Sequence, residues 1–420
     1  MKILFVTNEV PYPPDNGVRI VSHNFMRLMH EAGHQLGLAV LTDDLLHAEQ
    51  HFSQAALFCG QDRAWWVPLR YRKRHELLVT AALKNKLVFI ERYYSNQFRL
   101  RLSHFIKEFN PDVIHFDLIP MTQYIDLVPP TIGTVASIND SWALALEDGL
   151  RSSKYNGAER AYRTYEHYRV RSYERTTYPK FSVTHVVSES DKQYLTRLNT
   201  NIRATVVSNG VNQVLFGIAG ATLGQINMLF LGKLSGDNLH CLLQFLKKSW
   251  PIVRTHLPQA KLHIVGAIGR EGQVVKELAD SDSGLVLRGY VSDLGDVYAE
   301  CGIAVIPILK SCGILNKAIE AMAAGLVAVG FKNSFAGIPE AQNKVHFLAA
   351  NDYEAMGYCL IDAVQNGTMR SAIQRNAHSL ARKYYSWQDR LPKLEAMYSL
   401  ARQQCQEQIT SNYEGPESRS

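Results

Sequence analysis

Short apolar runs alternate with amphipathic stretches through the first half of this chain, pause, and begin again. That repetition sets the narrowest bounds on its fold. Ile3–Val6 is an apolar run of the kind a central parallel strand needs when both its faces are buried. A turn-rich segment, Pro11-Tyr-Pro-Pro-Asp-Asn-Gly17, follows. Val21, Phe25, Leu28, Met29 and Ala32 then recur at three- and four-residue steps, which predicts an amphipathic helix stopped by Gly33. Leu36–Leu41, Asp112–Phe116, Thr131–Ile138 and Val183–Val187 read as further strands of this half. The small, Gly- and Ala-rich stretch 217–225 breaks the pattern. Strands restart at Ile226–Leu231, Lys261–Val265, Leu285–Leu287, Ile303–Ile308, Ala328–Phe331 and Val345–Leu348.

Two such series predict an α/β protein made of two doubly wound domains facing a cleft. The expected division is a first domain over 1–216, a hinge over 217–225 and a second domain over 226–385. A C-terminal helix is expected over 386–405, and a disordered tail over 406–420, where the sequence is polar and aperiodic.

Composition narrows the function. With 420 residues, 46% hydrophobic and 20% charged, the chain is neither disordered nor a collagen-like or coiled-coil repeat. Lys+Arg less Asp+Glu is 45 − 39 = +6. That excess is too small to argue for nucleic acid, but it suits an anionic small ligand or an acidic membrane face. No two of the six cysteines have CxxC spacing, which argues against a zinc or redox motif and for reduced thiols in the cytoplasm. MKILFVTNEV reads as a buried strand rather than a leader, and no apolar run approaches the roughly 18 residues that span a bilayer.

In doubly wound sheets, ligands sit at the carboxyl ends of the strands. The loop after Ile308 carries the most chemistry. It runs Pro307-Ile-Leu-Lys-Ser-Cys-Gly-Ile-Leu-Asn-Lys-Ala-Ile-Glu-Ala-Met-Ala-Ala-Gly325, with a helix opening near Asn316. The free N–H groups and dipole of such a helix start bind phosphate oxygens. Gly313 lets the backbone come close, Lys317 adds a cation, and Glu320 lies one turn on, where a carboxylate can hold a ribose diol. The alternative is a capped helix with a solvated Lys and a surface Glu. From these residues alone the two readings are level.

The stretch resembles the sugar-nucleotide loop of retaining GT-B glycosyltransferases, notably glycosyltransferase family 4. Glu320-Ala-Met-Ala-Ala-Gly325 matches the second half of that family's two-Glu pattern. Cys312 stands where most members have the first Glu, and Gly313-Ile-Leu-Asn-Lys317 resembles a branch with Gly-x-x-Asn-Lys. Phe230-Leu-Gly-Lys233 resembles the opening of the second domain, which implies a diphosphate contact for Lys233. Where the family often has a second Lys, this chain has Ser235-Gly-Asp-Asn238. Arg288-Gly-Tyr-Val-Ser-Asp293 resembles the nucleobase loop, with Val291 as the contact, and Tyr384-Tyr-Ser-Trp387 the start of a last helix that crosses back. The implied nucleotide-sugar site is therefore Gly17, Lys233, Val291, Gly313, Ile314, Leu315, Lys317 and Glu320.

In the first half, Asn16-Gly17 stands where the family has its glycine turn, and Arg19 behind it reads as a solvated first-turn side chain. Asp112-Val-Ile-His-Phe-Asp117 resembles the strand bearing the family's catalytic-region His. His115 and Asp117, two apart on a strand, point the same way. His115 reads as a core residue and Asp117 as the contact for the transferred sugar or the acceptor. Asp140, after the next strand, is either a second such contact or the N-cap of a helix from Trp142. Glu189 reads as exposed.

Asp280-Ser-Asp282 has metal-motif spacing but falls before a strand, so it reads as a solvated turn. Neither Gly-x-Gly-x-x-Gly nor Gly-x-Ser-x-Gly occurs, which disfavours dinucleotide enzymes and elbow hydrolases. Two basic stretches, Trp65–His75 and Arg160–Lys180, are open to an anionic membrane or to ion pairing in solvent. The resemblance implies retaining sugar transfer from a nucleotide diphosphate sugar, the co-substrate, to the hydroxyl of a glycan or lipid-linked acceptor. It implies no other cofactor, no metal, and a place in cell-surface polysaccharide or glycolipid assembly. A sugar-nucleotide epimerase of the same fold and a non-catalytic sugar-nucleotide-binding protein are the alternatives.

Overall fold

The computed structural model describes residues 1–151, 156–219, 225–291, 293–309 and 314–413, without the side chains of Gln61 and of 406–413. Contacts divide the chain into two units, Met1–Ser208 with Arg390–Ser420, and Asn209–Asp389.

The first unit holds a parallel sheet of seven strands: β1 (Lys2–Thr7), β2 (Gln35–Thr42), β3 (Ala64–Pro68), β4 (Val113–Asp117), β5 (Gly133–Asn139), β6 (Val183–Val186) and β7 (Ala204–Val206). Their order is β3-β2-β1-β4-β5-β6-β7. The chain winds outward from β1 one way, then crosses back to β4 and winds the other way. β1 and β4 are adjacent, with Phe5 opposite His115. Val113–Asp117 and Gly133–Asn139 are buried along their whole length, because helices cover both faces of the sheet.

The second unit repeats the plan with six parallel strands: β8 (Met228–Leu231), β9 (Leu262–Val265), β10 (Leu285–Gly289), β11 (Ile303–Ile306), β12 (Val327–Phe331) and β13 (Leu348–Ala350). The order is β10-β9-β8-β11-β12-β13. In such sheets the ligand crevice opens where the winding reverses. That point lies between β1 and β4 in the first unit and between β8 and β11 in the second.

The fold departs from expectation in several places. β3 and β7 are additional strands. AWWVP in β3 alternates in burial and ends on Pro68, as an edge strand can. The strand expected over Val345–Leu348 forms at Leu348–Ala350 instead, because a turn occupies the preceding residues, with Asn343 Oδ1 accepting 2.8 Å from the Ala349 amide.

The second unit begins at Asn209, not after a 217–225 hinge. Val211, Leu215 and Phe216 are buried in one cluster with Ala318, Ile319, Met322 and Tyr385. Gly210 lies flat against Trp387, where a Cβ would come within 2.6 Å of the indole. Residues 220–224 of the expected hinge lie outside the described residues.

The last helix runs Leu391–Tyr413 and belongs to the first unit. It covers 406–413 of the expected tail, while 414–420 lie outside the described residues. Leu394, Met397, Tyr398 and Ala401 are buried. The helix passes so close to β5 that a Cβ on Gly133 would sit 2.7 Å from the Ala401 carbonyl.

Candidate active site

In the second unit, two helix starts meet at the β8/β11 reversal. The Gly236–Lys248 helix follows β8 and starts at Ser235, which makes no side-chain cap. The Asn316–Ala323 helix follows β11 and starts at Leu315, whose side chain has no acceptor to offer. Helix starts without side-chain caps have amides to spare for an anion. Lys317, in the first turn of the second helix, crosses to the first: its Nζ donates to Asn238 Oδ1 at 2.9 Å. The amine also rests over the Phe230 ring, 5.6 Å from its centroid. Gly232 makes room for it, since a Cβ there would lie 3.1 Å from Nζ. Burial lowers the Lys317 pKa to about 8, with Glu320 opposing that shift.

Glu320 Oε2 accepts a 3.1 Å hydrogen bond from the buried Tyr298 hydroxyl. Burial raises its pKa, against the pull of Tyr298 and Lys317. Asn316 Oδ1 accepts 2.6 Å from Asn209, so the first residue of the helix is pinned to the start of the unit. Val291, Ile314 and Leu315 pack against the same core cluster. Lys233, at the end of β8, is exposed. The structure thus gathers Lys317, Glu320, Ile314 and Leu315 on one helix start. Gly313, with Cys312, lies outside the described residues.

In the first unit, the β1/β4 reversal holds Asp117. Its Oδ2 accepts from Thr7 on β1 at 3.4 Å and from Ser22 on the Gly17–Glu31 helix. Its Oδ1 is buried and has no partner among the described residues. Burial raises its pKa to about 7, and Glu9 adds to the shift. Leu118, next in the chain, has φ +67. A bulky residue there is strained, and such strain gathers at functional sites. Asn139 at the end of β5 also has positive φ, +61.

Asn8 Oδ1, Asn139 Oδ1 and Asp140 Oδ1 are likewise buried without partners among the described residues. Four acceptor oxygens therefore face no donor at the carboxyl ends of β1, β4 and β5. A ligand rich in hydroxyl donors would satisfy them. Burial raises the Asp140 pKa to about 7, with the nearby Asp191 adding. Asp140 does not cap the Trp142–Arg151 helix; Ser141 does, its Oγ accepting from the Leu144 amide at 3.2 Å. That leaves the Asp140 carboxylate free for a ligand.

Gly17 is the first residue of its helix, and the Asn16 side chain already accepts from the amides of Val18 and Arg19. Arg19 is not a solvated side chain, because it pairs with Glu9 at 3.1 Å and Asp15 at 3.0 Å. His115 is a core residue as expected, with Nδ1 3.0 Å from the Tyr398 hydroxyl of the last helix. Glu189 is exposed. Asp282 serves the fold, accepting from Trp250 Nε1 at 2.7 Å and from the Gly284 amide at 2.8 Å. Among the described residues no three His, Cys, Asp or Glu side chains are grouped to hold a metal.

Residues 15–214 match the family described as Glycosyltransferase Family 4. Residues 225–366 match the family described as Glycosyl transferases group 1, so the two matches run in tandem over both units. The chain is a glycosyltransferase of the GT-B type. No curated protein is a significant match. Sucrose-phosphate synthase from Thermosynechococcus elongatus superposes with TM-score 0.68 at 14% identity, over 98% of this chain and 100% of that one. The pneumococcal O-GlcNAc transferase GtfA, in complex with UDP and GlcNAc, gives TM-score 0.65 at 9% identity over 96% and 99%. Anabaena HepE, in complex with UDP and glucose, gives 0.60 at 14% over 98% and 100%.

The glycosyltransferase also carries a buried acid cluster where the sequence favours a solvated, ion-paired helix face, with Glu174 among the acids that interleave it. Glu174, inside the basic 160–180 stretch, is fully buried. It accepts from Ser141 Oγ at 2.8 Å and from the Ala143 amide at 3.3 Å, while Asp191 accepts from the Ser141 amide at 2.8 Å. Burial raises the Glu174 pKa to about 7. Two carboxylates thus plug the start of the Trp142–Arg151 helix beside Asp140. The signal that could have exposed Glu174 is its position four residues after Val170, the buried residue on the same helix face.

Proposed function

We propose that the glycosyltransferase moves a sugar from a nucleoside diphosphate sugar to an acceptor hydroxyl, with retention of configuration. The observation that carries this reading is the Lys317–Asn238 bridge, 2.9 Å long, between two helix starts at the β8/β11 reversal. An amine and two sets of helix-start amides suit a diphosphate. As the glycosidic bond breaks, negative charge grows on the departing diphosphate. The preset amides and Lys317 stabilise that charge without reorganising. Glu320, steadied by Tyr298, holds the ribose diol, and Val291 lies against the base. Lys233 adds a contact to the phosphates.

The four partnerless oxygens of the first unit suit the hydroxyls of an acceptor. Asp117 and Asp140, with pKa values raised to about 7, hold or release a proton near neutral pH. The leaving phosphate takes the acceptor proton on the face it vacates, which preserves the anomeric configuration. HepE and GtfA are described with UDP, so a UDP-sugar is the first donor to test.

Calorimetric titration with UDP and GDP tests the site. Binding weakened at least about tenfold in Lys317→Ala supports the reading, and unchanged affinity overturns it. Incubation with donor alone separates the alternatives. An epimerase interconverts the sugar without acceptor, whereas a non-catalytic binder turns over nothing with any acceptor.

A further inference from the structure

The Arg74–Leu83 helix is apolar on both sides. Leu77 and Ala81 are buried against the first unit. On the opposite side Leu78, Val79, Ala82 and Leu83 are exposed, Leu83 to 81%, and Tyr71 just before the helix to 87%. Apolar side chains exposed together on one helix are surface that a partner or a membrane covers, and here no described residue of the chain covers them.

Charge says what covers it. Residues 69–92 contain seven Lys or Arg and two Glu, so 7 − 2 = +5, against +6 for the whole chain. One of the two acids, Glu91, is fully buried between Arg72 at 3.1 Å and Lys84 at 2.8 Å. Arg70, Lys73 and Arg74 are exposed, and among the described residues none of the three forms an ion pair. Lys73 and Arg74 stand at the helix N-terminus, where the macrodipole disfavours cations. The Glu76 carboxylate accepts from the Lys73 amide at 3.3 Å, but among the described residues no side chain pairs with the Lys73 or Arg74 cation. An anionic surface would pair with both.

We propose that the exposed face of the Arg74–Leu83 helix docks on an anionic lipid bilayer. Leu78, Val79 and Leu83 enter the interface, while Tyr71 and the cations sit at headgroup level. Among the described residues no helix is long and apolar enough to cross a membrane, so the contact is peripheral.

The position has a consequence for the reaction. The helix follows the carboxyl end of β3, on the side of the sheet where Asp117 and Asp140 lie. The next helix, Val88–Arg92, joins that surface to the site: Phe89 packs on Trp142, with ring centroids 4.0 Å apart and the rings tilted by 50°. A bilayer held here presents its own hydroxyl-bearing lipids to the first unit. This consequence rests on the proposed transfer chemistry; the docking does not.

The test is co-sedimentation of the full chain with vesicles of phosphatidylcholine alone, or with about one third phosphatidylglycerol. Two variants accompany it, one with Leu78→Ser and Leu83→Ser, the other with Arg70→Gln, Lys73→Gln and Arg74→Gln. All five positions are exposed, and an unchanged melting temperature checks the fold. The wild type is expected to bind the anionic vesicles, more weakly at high salt, and each variant to lose at least about tenfold. No binding to anionic vesicles, or binding unchanged in the variants, overturns the proposal. So does a wild-type dimer that the Leu variant dissolves while vesicles bind nothing, because the face is then a contact between copies. UDP titration without vesicles reads the donor site separately, so either reading can fail alone.

Discussion

Tyr298 Oη donates a 3.1 Å hydrogen bond to Glu320 Oε2 from a ring that is wholly buried. The bond fixes one carboxylate oxygen and leaves the other for a ligand. Tyr298→Phe is expected to raise the donor KM several-fold with little change in kcat, since it loosens Glu320 without removing it. Glu320→Ala is expected to weaken UDP binding by about 10- to 100-fold, roughly the worth of a lost bidentate contact. Steady-state kinetics and calorimetry check the pair.

The amine of Lys317 titrates at about pH 8 in the unliganded protein, because burial disfavours its charge. Only the protonated amine attracts a diphosphate. UDP affinity is therefore expected to be steady below neutrality and to fall as pH rises through that value. Lys317→Ala should flatten the profile, and a wild-type profile that stays flat to about pH 9.5 would remove Lys317 from the site.

Asp117→Asn keeps the shape and the Thr7 and Ser22 contacts while discarding the charge. Turnover is expected to drop by about 100-fold, with UDP affinity unchanged. Equal turnover would take Asp117 off the catalytic list.

Burial holds the Glu174 proton up to about pH 7, whereas the unfolded chain releases it near the ordinary value of 4.5. Between those limits the folded state binds more protons. The contribution is complete below the lower value and is lost as pH rises through the upper one, by about 3 kcal/mol. Melting temperature should fall accordingly between mildly acidic and alkaline buffer. Glu174→Gln, which keeps an acceptor for Ser141, should shrink that fall.

Gly210→Ala places a methyl group within 2.6 Å of the Trp387 ring. The expected cost is about 1–3 kcal/mol of overpacking, read by denaturant unfolding. Gly217→Ala meets nothing within 4 Å and serves as the control.

Sequence patterning locates most strands of both sheets, because buried parallel strands are short, apolar and bounded by turn residues. It passes over β3, where the cations after Pro68 make the segment look like surface. It misplaces the boundary between units, because a Gly- and Ala-rich stretch looks like a joint while the real one depends on Gly210 meeting Trp387, far away in the chain. The Lys317 and Glu320 positions are legible from motif and helix periodicity. The bridge to Asn238 is not, since it joins two helix starts that only the β8/β11 adjacency brings together. The partnerless oxygens of Asn8 and Asn139 are invisible for the same reason. They gain meaning only when three strand ends are aligned.

The last helix completes the first unit, with Tyr398 seated on His115 and Ala401 pressed on Gly133. Domains generally fold as they leave the ribosome, earliest first. Here the half translated first must wait for the half translated last. Until the final segment emerges, β4 and β5 lack the cover that Tyr398 and Ala401 provide, and a chain cut short anywhere before residue 391 leaves that groove bare.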